Sequence, residues 1–116
     1  MPQHDSHMYL YDSMEASNLI LEFTAGKTFE DYKNNPMMKS AVERQFEIIG
    51  EALGQAVKKD PSLGTSIHNI SRIVAFRNRL IHGYAHVSDE VVWGVVEKYL
   101  PILRKDLDHL LKVSEP

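Results

Sequence analysis

With 116 residues, 43% of them apolar and 25% charged, the chain has the make-up of one globular domain with a single modest core. It contains no cysteine, which excludes disulfide scaffolds, thiolate zinc sites and thiol catalysis, and no apolar run approaches the roughly 18 residues of a membrane span. The net charge is −3, yet no acidic residue lies between Asp60 and Asp89, so that window holds Arg72, Arg77 and Arg79 uncompensated and favours an anion locally.

The first residues, Met1-Pro2-Gln3-His4-Asp5, lack the basic and apolar regions of a secretory leader, and a cytoplasmic protein is expected. Residues 1–7 read as a polar, disordered tail and 8–113 as the folded domain. From Met8 to about Thr24 the apolar positions Leu10, Met14 and Leu21, widened by Leu19, Ile20 and Phe23, predict an amphipathic helix ending at Gly26. Phe29–Tyr32 is a candidate single turn. Pro36 suits a first helical position, and Met38, Val42, Ile49, Ala52 and Ala56 then recur at helical spacing to about Lys59. Gly50 and Gly54 within that helix point either to close approach by a neighbour or to local tolerance.

A third long helix is predicted over Ile67–Ile81, with Gly83 where a C-terminal cap would fall. Ser88 reads as the N-cap of a fourth, running through Val92, Val96, Leu103 and Leu107, with a kink or break near Lys98 imposed by Pro101. No strand-like alternation or repeat interrupts this pattern. The predicted architecture is an all-α bundle.

The chemistry is concentrated in Arg77-Asn78-Arg79-Leu80-Ile81-His82-Gly83-Tyr84. On a continued helix Arg77 and Tyr84 share a face, while Asn78 and His82 are neighbours four apart. Arginine grips a phosphate with two parallel hydrogen bonds, and histidine suits proton transfer near neutrality. RNA carries its own nucleophile, the 2′-hydroxyl, so a base and a cation suffice for cleavage to a 2′,3′-cyclic phosphate without a metal. On pattern alone other readings stand beside this one. His82 with solvated arginines could be a simple helix end, His82 and His86 an i, i+4 metal pair, and Tyr84 a packing aromatic.

Arg77-Asn78-x-Leu80-Ile81-His82-x-Tyr84 resembles the Arg-x4-His-x-Tyr motif of HEPN-domain ribonucleases, specifically the HepT toxins of HepT/MNT toxin–antitoxin modules. Ala41-Val42-x-Arg44 with Ile48-Ile49-Gly50-Glu51-Ala52 resembles the family's second long helix, Val92-Trp93 and Leu100-Pro101-x-Leu103 its C-terminal one, and Tyr9-Leu10-Tyr11-Asp12 its opening. His68-Asn69 departs from the Pro-Trp that relatives often carry before the third helix. The resemblance implies a HEPN bundle of four main helices plus short ones, in a homodimer whose motifs face one another. It implies an endoribonuclease with His82 catalytic, Arg77 on the phosphate and Asn78 as polar support. Arg72 and Arg79, in the same acid-free window, are further RNA-binding candidates, and no metal or cofactor is expected because that window holds no carboxylate. It further implies a type VII-like module in which an MNT-type nucleotidyltransferase antitoxin transfers AMP to Tyr84. The alternative is a catalytically inactive HEPN dimer that binds nucleotide and the nucleotidyltransferase. A purely structural helical dimer is the third reading.

Overall fold

The computed structural model describes residues 5–82 and 87–113, and among these there are helices and connections but no strand. Helix α1 spans Ser6–Thr24 and starts two residues before the apolar pattern does, because the Asp5 carboxylate accepts the Met8 N–H at 3.0 Å. Its inner face is built of Leu10, Ala16 and Ile20 with Ser13, Ser17 and Thr24. Those three hydroxyls are buried, and each donates to the carbonyl four residues back, at 2.8–2.9 Å, so the face stays narrow without orphaned polar atoms. Gly26, at φ +71°, lets the chain leave the helix in the left-handed region.

Helix α2 (Phe29–Lys33) is short but well specified. Thr28 and Asp31 form a reciprocal capping box. It holds Tyr32, fully buried, against Trp93 with ring centroids 5.3 Å apart. The Tyr32 hydroxyl finds no hydrogen-bond acceptor or donor among the described residues. Burial drives its pKa well above the ordinary phenol value, and the negative charges of Glu43 and Asp89 push the same way. Replacing Tyr32 by phenylalanine should therefore leave the melting temperature at pH 7 unchanged or raise it, since it removes a desolvated group that no described residue compensates. In the unfolded chain a tyrosine ionises near pH 10, whereas in the fold Tyr32 stays neutral; the residue's contribution to stability is thus complete below about pH 10 and declines above it. Thermal melts of the two proteins above and below that pH should show the wild type losing more.

Helix α3 (Pro36–Lys59) is the central element, capped by Asn35 on the Met38 N–H. Val42, Ile49, Leu53 and Ala56 along it are completely buried, against α1 on one side and α5 on the other. The predicted helix from Ile67 instead divides into α4 (Leu63–Ser66) and α5 (Ile70–His82). Asn69 takes a left-handed backbone, φ +60°, and its carbonyl accepts the Arg72 and Ile73 N–H groups, starting α5 there. His68 is meanwhile held by Asp106, through its backbone N–H and its ring Nδ1, both at 2.9 Å. The departure at His68-Asn69 is thus a built corner.

Ser88 caps α6 (Asp89–Gly94) on the Val91 N–H. The next residues, Val95–Tyr99, form a π-helical segment leading into α7 (Leu100–Val113). Pro101 explains it: the residue has no N–H for the Glu97 carbonyl and its ring crowds that group. Widening the turn by one residue lets the Leu100 N–H reach the Val95 carbonyl instead. The break expected near Lys98 takes this form. No described helix is long and apolar enough to cross a membrane.

Candidate active site

Helix α5 carries the site because α3 fixes its approach. A Cβ added at Gly50 would overlap Arg77 Cβ and lie 2.8 Å from Arg77 Cγ and 3.3 Å from the Ile73 carbonyl oxygen. The backbones can come this near only with glycine there. At Gly54, one turn on, the nearest atom is Val74 Cγ2 at 3.9 Å, an ordinary contact. Of the two glycines, Gly50 marks the close approach.

Arg77 is pinned at its stem by that contact and half-buried. Its Nη1 donates to Asn78 Oδ1 at 3.0 Å, Nη2 lies 3.8 Å from a Glu51 carboxylate oxygen, and Nε is buried with no acceptor among the described residues. Glu51 is more than half exposed, so the long contact is a weak tether. The guanidinium therefore retains donor capacity for an anion. Asn78, Arg79 and His82 are exposed.

Five residues separate Arg77 from His82, which on an α-helix is about 140° of rotation and ~7.5 Å of rise. Asn78 lies between them, hydrogen-bonded to Arg77 and about 40° around from His82. Arg77 and Asn78 are thus brought together, while His82 projects from the open side at the end of α5. Arg79 and Arg72 lie on a further side, lining a groove between α5 and α7. Tyr84, Gly83 and His86 fall outside the described residues, so the acceptor tyrosine, the C-terminal cap and the i, i+4 metal pair do too. Among the described residues no group of three or more potential metal ligands occurs. Glu51 was visible only as part of the second-helix resemblance; its place beside Arg77 depends on the α3–α5 crossing, which no local pattern encodes.

An all-α bundle that carries an arginine, an amide and an exposed histidine on one helix has the residue types that the HEPN resemblance implies. A family model described as "Ribonuclease HepT-like" matches residues 14–110, and the chain belongs to this HepT-like ribonuclease family. It is 31% identical to "Putative RNase MJ1216" of Methanocaldococcus jannaschii, covering 99% of this chain and 94% of that one. It is 36% identical to "Probable ribonuclease HepT" of Thermococcus cleftensis over 90% of this chain and 94% of that one. A second Methanocaldococcus jannaschii relative, "Putative RNase MJ1380", is 32% identical over 93% and 98%. No solved structure matches the chain significantly.

Proposed function

We propose that this ribonuclease is a metal-independent endoribonuclease acting as the toxin of a type VII-like HepT/MNT pair in the cytoplasm. The observation that carries the reading is Arg77 held by Gly50 and Asn78 on α5, five positions before the exposed His82 at the helix end. His82 removes the proton from a 2′-hydroxyl, and the oxygen attacks the adjacent phosphorus. The bond from phosphorus to the 5′-oxygen breaks, and the leaving oxygen takes a proton from an imidazolium. Arg77 holds the phosphate oxygens as charge builds on them. Products are a 2′,3′-cyclic phosphate and a 5′-hydroxyl.

Because Arg77 and His82 diverge around one helix, the complete site combines the histidine of one chain with the arginine of another, in a homodimer. Tyr84, two residues beyond His82, is the AMP acceptor for the nucleotidyltransferase partner; the added phosphate repels RNA and occupies its place. The primary test is incubation of purified protein with single-stranded RNA in EDTA, with end-group analysis of the fragments. Cyclic phosphate ends are expected, and cleavage that EDTA abolishes would exclude the mechanism. Co-expression with an MNT-type transferase should add AMP mass to a peptide containing Tyr84 and silence cleavage; a Tyr84→Phe protein should stay unmodified and active. Nucleotide binding with no RNA cleavage would replace this reading with the inactive nucleotide-binding dimer.

A further inference from the structure

The groove between α5 and α7 has no part in the chemistry assigned to Arg77 and His82. Its volume is about 340 Å³, the lower end of the range for small-ligand pockets, ~300–1,000 Å³. Phe46 and Phe76 meet within its lining edge to face, centroids 5.5 Å apart. On its far side the π-helical segment and α7 contribute Tyr99 and Ile102, both 42% exposed. Arg72 and Arg79, seven residues apart and exposed, stand along its α5 edge. None of the described lining residues carries a carboxylate. The nearby Asp106 is already engaged by His68.

Resting on the ribonuclease reading, we propose that this groove seats an unpaired RNA base, stacked against Tyr99 and Phe76, with Arg79 and Arg72 on the flanking phosphates. The exposed Tyr99 ring and the partly buried Phe76 beside guanidiniums make the combination that holds single-stranded nucleic acid, since every base offers a π-face and every linkage a negative charge. An apolar protein segment would leave the two guanidiniums without a counter-charge. Arg79 precedes His82 by three residues, close to one turn, so a base in the groove lies next to the linkage presented to the histidine. Paired bases cannot enter the groove.

The test uses the full chain carrying His82→Ala, so that binding is read without cleavage, and a short fluorescein-labelled single-stranded RNA of mixed sequence. Adding Tyr99→Ala should weaken binding about ten-fold, Tyr99→Phe should restore it, and a duplex of the same sequence should bind at least ten-fold more weakly. The mass in solution should not change. Undiminished binding by Tyr99→Ala, no rescue by Tyr99→Phe, or equal affinity for the duplex would overturn the proposal. So would a change in oligomeric state on Tyr99→Ala, which would identify the groove as a face between copies of the chain. If the otherwise wild-type protein cleaves no RNA while the Tyr99 dependence of binding holds, the groove stands and the cleavage reading fails; cleavage with Tyr99-independent binding does the reverse.

Discussion

Alanine at His82 is expected to lower RNA cleavage ~10²–10⁴-fold, the range for loss of a positioned general base, with the melting temperature essentially unchanged. The second half follows from exposure: His82 is at the solvent-facing end of α5 and supports no part of the core. Surface replacements of that kind shift stability by about 0.5 kcal/mol or less. Arg77→Ala should lose activity on a similar scale, while Arg77→Lys should retain only a small part, because an ammonium cannot reproduce the paired donors of a guanidinium. The divergence of Arg77 and His82 around α5 adds a sharper outcome. Co-expressed and co-purified, a His82→Ala chain and an Arg77→Ala chain should recover cleavage that neither has alone, since the mixed pair contains one intact histidine facing one intact arginine. Mixed preparations as inactive as their parents would show that each chain works by itself, and the two-chain site would have to be abandoned.

The helices were legible where an apolar stripe recurs over many turns, as along Met38–Ala56, because tertiary packing needs that stripe whatever else happens. What escaped the pattern was set by single residues. Asp5 looks like part of a tail until its carboxylate is seen on the Met8 N–H. The corner at His68-Asn69 is invisible to periodicity, since Ile67 and Ile70 suit a continuous helix; it requires a left-handed asparagine and an acid brought from α7, 38 residues away in sequence. Pro101 announces a break but not its kind, and the π-helical segment is the local solution that keeps Val96, Leu100 and Leu103 all facing the core. At the site, the motif supplies residue types. It does not supply the crossing of α3 and α5 that orients Arg77, nor the groove assembled from α3, α5, the π-helical segment and α7.

The crossing itself is open to a direct measurement. Gly50→Ala is expected to destabilise the protein by about 2 kcal/mol, since so hard a clash falls at the upper overpacking cost, ~3 kcal/mol, less a gain in helix propensity of about 1 kcal/mol. The clash is hard to relieve, because its targets are Arg77 Cβ and the Ile73 carbonyl, atoms fixed to the α5 backbone, not the far end of a flexible side chain. Relief requires α5 to move off α3, which carries Arg77, together with Asn78, away from Glu51 and from the position that packing on Gly50 gives it. Cleavage should accordingly fall in Gly50→Ala protein even well below its melting temperature. Gly54→Ala is the matched control: its new methyl meets only Val74 at 3.9 Å, so the propensity gain dominates. Scanning calorimetry should place the Gly50→Ala midpoint several degrees below wild type and the Gly54→Ala midpoint at or above it, with activity reduced only in the first. Equal midpoints for the two variants would mean that α5 has slack at Gly50, and the account of how Arg77 is positioned would fall with it.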